Sequence, residues 1–429
     1  MATQTAEART ARHPARGAGM AAIGVTAVLL LLMWGITVAQ RGLNGSACGV
    51  DFGHVLTGAR IIRDGQGHLL YDSATQQATQ ARVLDPCLAR DAWLPYDHPP
   101  VEALAIAPLI DLPYAVAFGV WTLAAVLAVG LAAWLLARAF PLPAAVRWPL
   151  LGAIATYPFL HSALWLGQDT PFVLLGVCGL VAALRQERIG WASLSLALVA
   201  LKPQFLPVLL LLLVLQRRWR TLVIAFGTLA AASVAVMPWL GPAWPLQFLR
   251  LLAHIASGGQ AESTYPAIMP NWRGLAINLV GSGAPGMAVA LAIILIAASH
   301  GWLVRCWWRA RADRGAEPAL WGTAIVVALL AAPHANPHEL TLMIVPAWIV
   351  LATAPPAGPA RRWLVLLWAL YGSRWLAFLP GYPATAVVPT VLLLAAMALL
   401  LGRACLAPGR ARPARATVAG DEGVPVVAI

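Results

Sequence analysis

Long apolar blocks recur along almost the whole chain, many close to the ~20 residues that a membrane-crossing helix requires. Short polar stretches rich in Arg, Pro and Gly separate them. The blocks are continuous Leu/Ala/Val runs and lack the alternation of a transmembrane β-barrel strand. The pattern predicts an all-α polytopic integral membrane protein of about twelve helices, with ends near 20–39, 113–138, 147–166, 170–185, 189–202, 204–216, 219–239, 284–305, 319–333, 337–354, 362–379 and 384–402. Several are shorter than a full crossing. The stretches 189–202 and 204–216 also read as one re-entrant pair, so the span count is 10–12.

Composition strengthens this reading. The chain has 429 residues, of which 60% are hydrophobic and 11% charged. Its mean hydropathy is +0.75, and soluble domains run near ~45–50% apolar. The net charge of +12 would suit nucleic acid, but its distribution excludes that partner. With the basic start (Arg9, Arg12, Arg16) in the cytoplasm, strict alternation places 20 of 29 basic residues inside and 11 of 17 carboxylates outside. That is the positive-inside pattern. Residues 1–19 form a cytoplasmic basic N-terminus and 403–429 a cytoplasmic basic tail expected to be disordered, around a transmembrane domain at 20–402. The first block exceeds the ~7–15 residues of a signal-peptide core and reads as an uncleaved anchor. Arg-rich usage with a single lysine points to a high-GC bacterium, hence to the bacterial plasma (inner) membrane, and removes weight from the "NGS" sequon at Asn44.

The outer loops are unequal, with 40–112 the longest and 240–283 second. In the first, "DFGHVLTGARIIRDGQGHLLYD" (51–72) has helical spacing ended by "DGQG". "HPPVEALAIAPLIDL" (98–112) is too short to span and is opened by Pro99 and Pro100 and stopped by Pro113. Both read as helices in the membrane interface. An oxidising exterior permits a bridge between Cys48 and Cys87 of this loop. Short cytoplasmic loops and the lack of "GxxxxGK[ST]" argue against a nucleotide-binding domain.

Candidate chemistry gathers on the outer side. Asp51 opens an interfacial helix, where it serves as an N-cap and also faces lipid-linked substrates. Lys202 is the one lysine against 28 arginines and sits in "LKPQF" between apolar blocks. A compact ammonium suits a phosphate contact, and ionisable groups at membrane depth are functional candidates; a snorkelling helix-end lysine is the structural reading. Gln168 and Asp169 in "GQD" fit caps of the next span, with Gln168 kept as a donor-binding candidate. Arg273 in "NWR" suits a phosphate or a carboxylate equally, and Arg374 lies on the same face. "PHANPHE" (333–339) invites a zinc site through His334 and His338. Pro337 disfavours a helix through both, and the order is not HExxH. Asn336 as N-cap, Pro337 as N1 and Glu339 as N3 instead open the next span, which leaves both histidines without a structural role.

With these motifs assembled, the sequence resembles glycosyltransferase family 87, also called DUF2029, of the C-type (GT-C) superfamily. The likeness runs from Asp51 to about residue 350 and rests on "DFGHVLTGARIIRDGQGHLLYD", "HPPVEALAIAPLIDLPYAVAFGVW", "LGQDTPFVLL", "LALVALKPQFLPVLLLLLVLQRRWR", "MPNWRGLAINL" and "PHANPHELTLM". One departure is that His54 and Val55 stand where relatives often carry tyrosines. The resemblance implies transfer of a sugar, often mannose, from a polyprenyl-phosphate donor to a lipid or glycan acceptor on the extracytoplasmic face, with inversion. It implies Asp51 as general base, Lys202 with Arg273 against the phosphate, and His334 or His338 on phosphate or sugar hydroxyls. It requires no cofactor, and no metal is needed in the absence of an Asp-x-Asp pair. Two other classes remain at this point: a transporter or flippase of lipid-linked sugars, and a non-catalytic scaffold, which leaves Lys202 unexplained.

Overall fold

The computed structural model describes residues 50–83, 94–256, 265–281, 283–353, 359–373 and 383–406, with single positions at 28, 32 and 376. The expectations for the first span, both termini, Asn44, the Cys48–Cys87 pair and Arg374 lie outside the described residues. All regular structure within them is helical, as the apolar blocks require. In chain order the α-helices are α1 (Val50–Arg63), α2 (Ser73–Val83), α3 (Pro100–Ile106), α4 (Tyr114–Ala139), α5 (Ala144–Ala155), α6 (Pro158–Leu166), α7 (Thr170–Arg185), α8 (Ile189–Val199), α9 (Leu206–Leu215), α10 (Trp219–Ala235), α11 (Met237–Leu240), α12 (Trp244–Ala256), α13 (Trp272–Val280), α14 (Pro285–Ala310), α15 (Glu317–Ala331), α16 (Ile344–Thr353), α17 (Pro359–Ser373) and α18 (Ala384–Leu406).

Three of these, α4, α14 and α18, are long and apolar enough to cross a membrane. They divide their faces as a lipid-facing helix should. On α4, Val116, Val120, Leu123, Leu127, Leu131 and Trp134 are exposed, while Ala117, Trp121, Ala125, Ala128, Ala132 and Leu136 face inward. Small inward residues let neighbouring helices approach closely, the usual packing device inside a bilayer. The shorter helices α7 and α15 are apolar all round and buried along nearly their whole length, as a central helix should be.

The twelve-span expectation is not matched one for one. Prolines and glycines divide several predicted spans. The stretch 147–166 breaks at Thr156–Tyr157 into α5 and α6, with Pro158 opening the latter. The stretch 337–354 begins as a 3-10 turn, Pro337–Met343, before becoming α16. Between α8 and the Pro203–Leu215 segment the chain bends by 119°, the geometry anticipated for a re-entrant pair, and Lys202 sits at the bend.

Residues 50–83 and 94–112 build a cap with its own small core, in which Phe52, Val55, Leu56, Ile61 and Tyr96 pack with Trp121 of α4 and Trp244. This revises the picture of α1 as an interfacial helix: Phe52 to Ala59 are all buried, together with Ile61 and Ile62. A residue on either side of α1 finds protein, because Phe52 packs against Tyr114, Phe118 and Trp121 and Tyr96 covers Gly58 on another side. Gly65, with φ +75°, ends the helix as "DGQG" suggested. Pro99 caps α3 and Pro100 opens it. An amphipathic role fits α12 instead, since it exposes Leu246 and Leu249.

Cap and bundle meet at the turn between α6 and α7. Gly167 adopts φ +76° and its carbonyl accepts a 2.8 Å hydrogen bond from Trp121 Nε1. A Cβ at this position would lie 2.5 Å from Cβ of Phe52. Gly167→Ala combines left-handed strain with this clash and is expected to cost roughly 2–4 kcal/mol. Thermal unfolding followed by size exclusion checks this; an unchanged melting temperature would show that the junction yields without cost.

Candidate active site

The site is assembled from the cap on one side and three bundle turns on the other. On the cap side, the extended stretch before α3 is strapped down by two glutamines of α2. Gln76 exchanges hydrogen bonds with the Tyr96 backbone (2.8 and 3.1 Å), and Gln80 does the same with Leu94 (3.1 and 3.4 Å). Tyr71 Oη donates to the His98 carbonyl at 3.0 Å. An otherwise irregular segment thereby gains its backbone partners and sets Asp97 and His98 beside His54 of α1, with the two imidazole rings 4.9 Å apart.

On the bundle side, the α6–α7 turn presents Gln168 and Asp169, the α8 bend presents Lys202, and the turn opening at Asn336 presents Glu339. Lys202 is 5% exposed and its ammonium meets all three: Gln168 Oε1 at 2.9 Å, Glu339 Oε1 at 2.9 Å and Asp169 Oδ1 at 3.2 Å. Two of the three ammonium N–H donors are taken by hydrogen bonds to Gln168 and Glu339, while Asp169 pairs with the ammonium by charge. The Gln168 amide then donates its Nε2 to Asp51 Oδ2. Because the lysine fixes the Gln168 oxygen, the amide can point only its nitrogen at Asp51. One relay, Lys202–Gln168–Asp51, therefore joins the bundle bend to the cap helix.

Asp169 stands at the N-cap position of α7, as anticipated, but its side chain makes no capping bond. Its carboxylate lies between Lys202 and His98, 3.5 Å from His98 Nδ1. His98 Nδ1 also lies 2.6 Å from Glu102 Oε2, one turn along α3. Glu339 does complete the expected capping arrangement, accepting from the Asn336 backbone N–H at 3.1 Å, and its other oxygen serves Lys202. Gln204 Nε2 adds a 3.3 Å bond to Glu339.

These surroundings set the protonation states on the cap side. Burial raises the Asp51 carboxyl to about 6, against the opposing effects of the Gln168 hydrogen bond and of the charges on Lys202 and His98. Burial lowers the His54 imidazole to about 3, so it is neutral. Burial also works against charge on His98, but Glu102 and Asp169 outweigh it and hold that ring well above the ordinary histidine value.

Of the remaining predicted residues, His338 borders a cavity, His334 lies next to it through Asn336, and Arg273 reaches the same stretch through Pro333. This cavity of about 300 Å³ is bordered by Asp51, Asn336, Pro337 and His338 on its polar side and by Phe159, Ile268, Val387 and others on its apolar side. His338 is buried with its Nε2 lacking a partner. His334 Nε2 lies 3.2 Å from Asn336 Nδ2, and its Nδ1 has no partner. Arg273 opens α13 and donates to the Pro333 carbonyl at 3.3 Å. Asn271 caps α13 and ties it to the same stretch through a 2.9 Å bond to the Ala332 carbonyl.

The sequence of glycosyltransferase family 87 matches residues 96–337, more than half of the chain. This chain belongs to glycosyltransferase family 87. No curated protein and no solved structure matches it. As a member of a glycosyltransferase family it requires a sugar donor and an acceptor. The matched region carries His98, Glu102, Gln168, Asp169, Lys202, Arg273 and His334; Asp51 lies before it, and His338 and Glu339 lie just past its end.

Sequence reasoning found Asp51, Gln168 and Lys202, which the relay joins, but missed what surrounds them. His98 and Glu102 were readable as an i, i+4 pair across "HPPVE". Nothing local to "GQD" or "PHE" shows that Asp169 and Glu339 neutralise a lysine from a third turn. His334 and His338 belong to neither of two groups of metal-ligating side chains in the described residues, His54/Asp97/His98 and His98/Glu102/Asp169, each with donor atoms within 4.8 Å. Removing the buried cation would strand two carboxylates and an amide, so Lys202→Met is expected to cost about 3–5 kcal/mol. A detergent-solubilised melting curve checks it; wild-type stability in Lys202→Met would show that the carboxylates shed their charge freely.

Proposed function

We propose that the protein transfers a hexose, mannose foremost, from a polyprenyl-phosphate donor to a lipid or glycan acceptor on the extracytoplasmic face of the bacterial inner membrane, with inversion at the anomeric carbon. Asp51 is the general base. The observation that carries this reading is a carboxyl raised to about 6 by burial on the wall of a cavity that joins polar and apolar surfaces. A base poised near the working pH takes a proton most effectively, and an amphiphilic donor needs both kinds of wall.

In this mechanism the acceptor hydroxyl gives its proton to Asp51 as its oxygen bonds to the anomeric carbon. The bond from that carbon to the phosphate oxygen breaks, and polyprenyl phosphate leaves with the electron pair. One base suffices, since a phosphate leaves without protonation. Gln168 holds one oxygen of Asp51, so the other is aimed at the acceptor. Arg273, His334 and His338 line the phosphate and sugar side. Lys202, buried and held by Gln168 and Glu339, acts on the phosphate through its positive field and on Asp51 through Gln168. The apolar wall near Ile268 and Val387 takes the first units of the prenyl chain.

Two outcomes follow for Asp51. Transfer measured as kcat/KM should fall on the acid side with a midpoint near pH 6, because only the ionised carboxylate is a base. Asp51→Asn should lower kcat by about 10²–10⁴-fold and flatten that limb. A folded-state pKa above the unfolded value means that ionised Asp51 costs stability at neutral pH. The cost is at most about 3 kcal/mol for a shift of roughly two units. It is absent below about pH 4, where the carboxyl is protonated in both states. Asp51→Asn should therefore raise the melting temperature at pH 7.5 and leave it unchanged below pH 4. Retained transfer in purified Asp51→Asn would remove Asp51 from the chemistry.

His334→Ala and His338→Ala should each raise the donor KM several-fold with a smaller change in kcat. Unchanged transfer in both would return "PHANPHE" to a helix start alone.

A further inference from the structure

Beside the relay lies a second constellation that the mechanism above does not use. His54 is 95% buried on α1, and neither of its ring nitrogens has a hydrogen-bond partner. A buried imidazole normally satisfies at least one of them, and leaving a polar group bare costs about 1–3 kcal/mol. The neighbours of His54 are Asp97 and His98. One donor atom from each of these three residues falls in a group spanning no more than 4.8 Å.

We infer that His54, Asp97 and His98 form a binding site for one divalent transition-metal ion, of the zinc or manganese type. Three observations support this. First, His98 Nε2 and Asp97 Oδ1 are 3.4 Å apart, which is about the spacing of two ligands around an ion ~2.1 Å from each. A modest rotation of His54 completes the set. Second, His98 Nδ1 is 2.6 Å from Glu102 Oε2. A carboxylate on the far nitrogen is the usual outer support of a metal-bound histidine, fixing its tautomer with the near nitrogen free. Third, the network is rich in negative charge. Asp51, Asp97, Glu102, Asp169 and Glu339 share it with Lys202 and His98 as its cations, while Arg273 lies beyond, at Pro333. Such an excess attracts a cation and would repel an anionic donor without one.

Two imidazoles with one carboxylate favour zinc or manganese over magnesium or calcium, which prefer all-oxygen ligands. The neighbouring group of His98, Glu102 and Asp169 is a poorer site, because His98 and Lys202 already occupy its carboxylates. Three protein ligands with a partly exposed Asp97 (30% side-chain exposure) leave open positions, the arrangement of a reactive rather than a purely structural ion. A donor phosphate oxygen suits an open position. That use rests on the transferase reading above; the binding of the ion does not. On binding, the ion replaces the proton of His98.

The test uses full-length, tag-free protein in detergent, stripped with EDTA, desalted and titrated with ZnCl2 or MnCl2. Metal content by mass spectrometry and binding by calorimetry are the readouts. About one equivalent per chain is expected. His54→Gln and Asp97→Asn should weaken it at least about tenfold, and Glu102→Gln by about 10–100-fold. Asp97→Asn alters a partly exposed side chain, so a folding failure of the buried His54 variant does not leave the question open. Asp51→Asn should bind the ion normally while losing transfer, which separates failure of the ion site from failure of the base assignment. Less than about a tenth of an equivalent of either metal on the wild type, or wild-type affinity in both His54→Gln and Asp97→Asn, overturns the site.

Discussion

A single buried ammonium holds the functional region together. Lys202 sits at a 119° bend between two apolar helical segments, donates to Gln168 and Glu339, and forms an ion pair with Asp169. Desolvating a lysine costs several kcal/mol, recovered only when its partners are close and well directed. Here they come from two turns far apart in sequence from each other and from the lysine, so each turn must keep its place for the charge to be tolerated. The bend, the left-handed turn at Gly167 and the helix start at Asn336 are thus bound to one another by electrostatics rather than by apolar contact alone.

The cap depends on that arrangement in turn. Its helix α1 enters the network through Asp51 and Gln168, and its α3 start enters through His98 against Asp169. Apolar packing of Phe52 on Tyr114, Phe118 and Trp121 supplies the non-directional part of the docking. The polar contacts supply the register. Two carboxylates that meet at the same turn, Asp169 within it and Asp51 across from it, thereby acquire different states. Asp169, facing Lys202 and His98, is held below the usual carboxylate range and stays charged, whereas burial raises Asp51, which faces one neutral amide, to about 6. That divergence gives one cluster both a fixed charge and a carboxyl whose proton uptake falls near neutral pH.

Much of this was legible in the sequence because it rests on local chemistry. The helical class followed from block length and composition, the starts at Pro99–Pro100 and Asn336–Glu339 from capping rules, and the singularity of Lys202 from residue usage. Each prediction that failed did so through tertiary context. The helix α1 has the spacing of an interfacial helix, yet Tyr96 and the α4 aromatics bury it on more than one side, and no local pattern reveals a second covering surface. Block length alone did not show where the predicted spans divide. Prolines at 158 and 203 open new helical segments, and α7 and α15 are apolar because protein surrounds them, a property that hydropathy cannot distinguish from contact with lipid. Asp169 and Glu339 passed as caps because a capping carboxylate and an ion-pair partner are the same residue type at the same position.

Membership of a glycosyltransferase family describes an enzyme that moves a sugar from a donor to an acceptor; with the proposed lipid-phosphate donor, the bond between sugar and phosphate breaks. A carrier built from similar parts would leave that bond intact. The most direct measurement reconstitutes the protein in vesicles with a polyprenyl-phosphate hexose, labelled in the sugar, and a membrane lipid extract, then separates the products. Labelled sugar on a new acceptor, with free polyprenyl phosphate released in equal amount, is the predicted result. Labelled donor recovered intact on the opposite leaflet, with no new glycoside, would contradict it.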